Sequence, residues 1–158
     1  MDTCVVDLHS QVAVSACPDR VVVACPGNVK GKVNVCFYDP QVTTTGVEIP
    51  ESNPLSVRLK TTSIQAHESS LAGVSLNYDG SKLATASIKW TLIRVFDTNT
   101  GDRLFELRRG AEKVDIHSIS FSKSDWIAVS SDKGTIHVFS LRTNLTVNQK
   151  SSLSTIAS

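Results

Sequence analysis

No apolar run in the 158-residue sequence approaches the ~20 residues that a helix needs to cross a bilayer. No segment keeps helical hydrophobic spacing for three turns. The start, Met1-Asp2-Thr3-Cys4, lacks the basic stretch and apolar core of a secretory signal, so none is expected. Charge of one sign is also scarce. Sixteen Lys and Arg face fifteen Asp and Glu, a net charge of +1, which excludes a global field drawing the chain onto nucleic acid or an acidic membrane. Anion binding, if present, must come from local geometry. Only four cysteines occur, Cys4, Cys17, Cys25 and Cys36, and none forms a Cys-x-x-Cys pair. They are expected as reduced, buried thiols, with no metal and no cofactor. A Gly-x-Ser-x-Gly elbow is missing as well, so no enzyme activity is expected.

What is present is β-pattern. Short runs rich in Val, Ile, Leu and Phe occupy 21–24, 33–38, 74–77, 83–87, 91–96, 104–107, 116–121, 127–130 and 135–139. Turn clusters separate them, among them Pro26-Gly27-Asn28, Tyr78-Asp79-Gly80, Asn99-Thr100-Gly101-Asp102 and Asp132-Lys133-Gly134. Residues 41–63 are polar and rich in Ser, Thr and Pro, and read as a long loop with one strand at 55–59. Residues 144–158 read as a flexible tail. Hydrophobic residues at 41% and charged residues at 20% predict an ordered core for the rest.

The organising feature is a repeat. Leu83-Ala84-Thr85-Ala86-Ser87 returns as Ile127-Ala128-Val129-Ser130-Ser131, 44 residues on. Lys89-Trp90-Thr91 aligns with Lys133-Gly134-Thr135, and Arg94-Val95-Phe96 with His137-Val138-Phe139, one residue out of phase. Such a spacing with about four short strands per unit predicts an all-β, WD40-type β-propeller. Blades are expected at about 5–40, 64–107 and 108–142, roughly three of seven, so the propeller is expected to be incomplete.

Each later repeat carries a polar triplet: Ser87, Thr91 and Arg94 in one, Ser131, Thr135 and His137 in the other. The extra residue between Thr91 and Arg94 predicts a β-bulge at Leu92. Hydroxyls beside Arg or protonated His are donors suited to a phosphate monoester. Between the repeats stands Leu107-Arg108-Arg109-Gly110. Neighbouring strand residues point to opposite faces, so two adjacent arginines can serve two pockets. The plainer alternative is that Ser, Thr and His fasten blades internally, and for His67 or Ser87 taken singly that role is favoured.

These residues resemble a known family. Tyr78-Asp79-Gly80 through Arg94-Val95-Phe96-Asp97-Thr98, Leu107-Arg108-Arg109-Gly110, and Ser130-Ser131-Asp132-Lys133-Gly134-Thr135 look like the PROPPIN family of phosphoinositide-binding propellers, which includes the WIPI-type autophagy proteins. Ala24-Cys25-Pro26-Gly27 and Lys30-Gly31-Lys32-Val33 resemble its preceding blade, and the likeness covers about 17–142. The resemblance implies a seven-bladed propeller that binds phosphatidylinositol 3-phosphate and 3,5-bisphosphate at two rim sites. By position, the first site would hold His67, Ser87, Thr91 and Arg94, and the second Ser131, Thr135 and His137. Arg108 and Arg109 would divide between them.

It further implies a non-enzymatic scaffold in autophagy, recruited peripherally to preautophagosomal, endosomal or vacuolar/lysosomal membranes. Its partners would be phosphoinositide headgroups and the lipid-transfer or conjugation proteins of that pathway, with no nucleic acid. The alternative function is a protein-interaction arc without lipid binding. One departure stands out: Trp90 occupies the turn position that Gly134 holds in the sister repeat.

Overall fold

The computed structural model describes residues 12–39, 58–88, 92–108, 110 and 115–142. Among these residues there is no helix; eleven strands build three antiparallel sheets. The first contains β1 (Ala13–Val14), β2 (Val21–Pro26), β3 (Lys32–Tyr38) and β4 (Arg58–Gln65). The second contains β5 (Leu71–Leu76), β6 (Lys82–Ser87), β7 (Leu92–Asp97) and β8 (Arg103–Arg108). The third contains β9 (Ile116–Phe121), β10 (Trp126–Ser131) and β11 (Ile136–Ser140). Within each sheet, neighbours in space are neighbours in sequence, the up-and-down order of propeller blades.

The first sheet corrects the reading of 41–63 as loop. β4 pairs along β3 from Lys32↔Gln65 to Tyr38↔Arg58 and completes that sheet, crossing the blade boundary expected at 64. It was hidden by its polarity: most of Arg-Leu-Lys-Thr-Thr-Ser-Ile-Gln is exposed, as an outer edge strand should be. Its β-branched Thr61, Thr62 and Ile64 were the better signal. The strand expected at 55–59 overlaps β4 only at its end, and residues 40–57 lie outside the described residues.

The sheets stack face to face through two cores. Val22, Ala24, Val33, Val35, Phe37 and Ile64 of the first sheet meet Leu71, Val74, Leu83 and Phe96 of the second. On the other side, Ala84, Ala86, Ile93 and Val95 meet Ile116, Ile119, Ile127, Val129 and Phe139 of the third. β6 is therefore buried on both faces, from Leu83 through Ser87. The alternation that marks a half-buried strand is replaced there by a continuous run, Leu-Ala-Thr-Ala-Ser.

Two glycines show different reasons for positive φ. Gly134 (φ 66°) sits in the β10–β11 turn with open space around it, the role expected from Asp-Lys-Gly. Gly31 (φ 72°) closes the β2–β3 turn against the chain that enters the second sheet: its carbonyl accepts from the N–H groups of Ala66 and His67 at 2.9 and 3.0 Å. A Cβ at Gly31 would lie 1.8 Å from the His67 carbonyl oxygen.

We therefore expect Gly134→Ala to cost about 1–2 kcal/mol, the backbone term alone. Gly31→Ala should cost roughly 3 kcal/mol or more, because overpacking adds to that term. Urea denaturation of the two variants checks this, and equal losses would contradict it.

Candidate functional site

Strand parity assigns the described polar candidates that lie on strands to one of two seams. On β6, Leu83 packs in the first core, whereas Ala84 and Ala86 pack in the second. Thr85 and Ser87 follow Leu83 and face the first sheet. Pairing of Thr85 with Arg94, and of Leu83 with Phe96, carries Arg94 to the same side. β8 continues the pattern, since Arg94 pairs with Glu106 and Leu92 with Arg108. The intervening Phe105 and Leu107 pack on the second core, so Glu106 and Arg108 point away from it. On β10, Ile127 and Val129 face the second sheet. Their partners on β11 are Phe139 and His137, which puts His137 on the same side. Ser131 and Thr135 continue these two rows, and their hydroxyls lie 3.4 Å apart.

The first seam is a hydrogen-bonded network. His67, only 3% exposed, bonds through Nε2 to Thr85 Oγ1 at 2.9 Å. Arg94 donates from Nη1 to the Ala66 carbonyl at 2.7 Å and from Nε to Glu106 Oε2 at 3.0 Å. Arg103 Nη1 reaches the same carboxylate oxygen at 2.9 Å. Burial, and then the Arg94 guanidinium, lower the His67 pKa to about 4. His67 is therefore a neutral strut at pH 7, not the protonated donor that the triplet chemistry called for. Ser87 is fully buried, and its hydroxyl has no partner among the described residues. Arg108 is exposed at the end of β8.

In the second seam, Ser131 is buried and Thr135 and His137 are half-buried. The His137 ring stacks on Phe139 with centroids 6.3 Å apart and planes 17° apart. Thr91, Arg109 and the turn residues Lys89 and Trp90 lie outside the described residues.

The bulge expected at Leu92 is not in the β6–β7 ladder, which pairs regularly from Lys82↔Asp97 to Ala86↔Ile93. Eight residues (86–93) separate Thr85 from its partner Arg94, and seven (130–136) separate Val129 from its partner His137. The extra residue is thus absorbed in the hairpin loop, and Arg94 and His137 occupy equivalent register positions. Two members of the first seam went unseen in the sequence, Thr85 and Glu106. Each stands two residues from a chosen one, Ser87 and Arg108, so the period of two was the signal available. Among the described residues no cluster of His, Cys, Asp or Glu could hold a metal ion, and Cys17, Cys25 and Cys36 form no disulfide; Cys36 is buried and the other two are half-buried.

The family model described as PROPPIN matches residues 8–157. Autophagy-related protein 18e of Arabidopsis thaliana is 39% identical over 127 residues, 80% of this chain and 29% of the relative. Ectopic P granules protein 6 of Caenorhabditis elegans is 42% identical over 128 residues, 73% of this chain and 33% of the relative. The chain thus spans about a third of the length of these relatives. Among solved structures, Hsv2 of Kluyveromyces lactis superposes with a TM-score of 0.66 at 27% identity, covering 84% of this chain and 37% of that one.

The His67 environment sets a pH dependence. Its pKa, about 4 folded against 6.5 ordinarily, means the unfolded chain binds more protons between those values. The His67 contribution is fully present above about pH 6.5 and is lost as pH falls toward 4. That loss is on the order of 3 kcal/mol at ~1.4 kcal/mol per pKa unit. Imidazole resonances followed by NMR should show one histidine still neutral at pH 5. A His67 titration centred near 6.5 would contradict the buried network.

Proposed function

The chain belongs to the PROPPIN family of autophagy-related β-propellers, and from that membership we propose that its two seams bind phosphoinositide headgroups carrying a 3-phosphate. The observation that carries the reading is the sorting by parity. Two sets of hydroxyl and basic side chains flank one sheet on opposite faces, and Arg108 ends that sheet's outer strand, with Arg109 next to it in the sequence. In this reading Ser87, Arg94 and Arg108 contact one phosphate, with Thr91 completing the set and His67 bracing it through Thr85. Ser131, Thr135 and His137 contact the other, with Arg109 as the second arginine of the adjacent pair. Phosphatidylinositol 3-phosphate and 3,5-bisphosphate are the ligands.

The chemistry is recognition without reaction. A guanidinium offers planar, charge-assisted hydrogen bonds to phosphate oxygens, each worth ~1.5–3 kcal/mol. The buried Ser87 hydroxyl adds a donor already stripped of water, so it gains a bond without a new desolvation cost. Two sites on one rigid body add avidity on a membrane surface. No helix among the described residues is long and apolar enough to cross a membrane. Attachment in this reading is peripheral, at preautophagosomal, endosomal or vacuolar/lysosomal membranes, where the propeller acts as a scaffold for autophagy lipid-transfer or conjugation proteins and not as an enzyme.

One observation favours a second reading, a protein-interaction arc: Arg94 and His67 are both engaged in internal hydrogen bonds, as blade-fastening residues would be. Flotation with vesicles separates the two. Arg108→Thr with Arg109→Thr should abolish flotation with phosphatidylinositol 3-phosphate vesicles and leave the thermal melt unchanged. Each single substitution should weaken binding severalfold. A double variant that floats like the wild type, or a wild type indifferent to the 3-phosphate, would count against lipid recognition.

A further inference from the structure

A single carboxylate oxygen, Glu106 Oε2, takes hydrogen bonds from Arg94 at 3.0 Å and from Arg103 at 2.9 Å. Arg94 and Glu106 pair directly across β7 and β8, and Arg108 follows two residues later on the same face. The carboxylate thus holds two guanidiniums, those of Arg94 and Arg103, with the exposed Arg108 further along the same face. Arg94 and Glu106 are partly covered, at 24% and 32% side-chain exposure, so their attraction is less screened than that of a fully solvated pair. The second Arg94 contact, to the Ala66 carbonyl at 2.7 Å, crosses the seam and fixes where the guanidinium sits.

This arrangement has two opposing electrostatic effects. A carboxylate on Arg94 orients it while the seam is empty. The same carboxylate repels any anion that approaches the same guanidinium, and it occupies a donor that a phosphate would use. In the third sheet, His137 occupies the register position of Arg94.

We propose that Glu106 is a built-in competitor for the anion of the first cleft, holding Arg94 when the cleft is empty and lowering its affinity for a phosphate headgroup. The proposal rests on the phosphoinositide reading. Its consequence is that the first cleft alone binds weakly. Stable attachment then depends on both clefts engaging a surface dense in headgroups. Glu106 acts through Arg94 and touches no ligand; it is an affinity-setting residue.

The test is Glu106→Gln in the full chain. The amide keeps an acceptor for Arg94 and removes the negative charge. Flotation and titration with phosphatidylcholine vesicles carrying a few per cent of phosphatidylinositol 3-phosphate should show binding about fivefold tighter than wild type. The salt dependence should also steepen, which a purely structural residue would not change. Glu106→Met, uncharged and of similar length, should show the same gain and guards against a folding defect in the first variant. If both variants bind as the wild type does, or more weakly, the competitor role is overturned while headgroup binding stands. If neither wild type nor variants bind, the phosphoinositide reading falls and the inference with it.

Discussion

The burial of β6 on both faces is the constraint on which the rest depends. A strand covered on one side has a core face and a solvent face; a strand covered on both sides has two core faces and must divide its residues between them. Leu83, Thr85 and Ser87 go one way, Ala84 and Ala86 the other. Every neighbour in the sheet inherits that division through its pairing. The hydrogen-bond register of β6 with β7, and of β7 with β8, therefore decides which cleft each charged residue can serve.

Polar groups inside such a stack must be partnered, because the seam excludes water. Most are. Thr98 bonds the Gly80 carbonyl at 2.6 Å, and His67 bonds Thr85. Arg94 shares its donors between Glu106 and the Ala66 carbonyl. Gly31 extends this logic to the backbone, since only a residue without Cβ lets its carbonyl reach two N–H groups of the incoming chain. The same bonds that staple the first sheet to the second also orient the cationic side chain at the mouth of the seam. Fastening and recognition thus draw on one set of atoms, which is why His67 and Arg94 fit both a structural and a binding role.

Much of the fold was legible because period-two hydrophobic runs and turn chemistry are local. β9 spans 116–121 as expected, and β3, β6, β7 and β10 agree to within a residue or so at each end. β4 was not legible, because an exposed edge strand has no apolar face to announce it. The location of the extra residue near Leu92 was also beyond local reading. A bulge and a longer hairpin loop have the same sequence spacing, and only pairing across the ladder separates them.

The sequence by itself determined the repeat, the two hydroxyl-and-base sets, the adjacent arginines and the family they resemble. Each of these is a pattern of residue types at short spacing, and short spacing survives without knowledge of the fold. Tertiary structure alone decided that His67 is a neutral, buried strut, that Arg94 is held by Glu106, and that Arg108 shares the face of Arg94. These facts depend on burial and on partners that stand 28 residues away for Arg94 and Ala66, or 18 for His67 and Thr85. Desolvation and charge pairing act through space, and no local pattern records them.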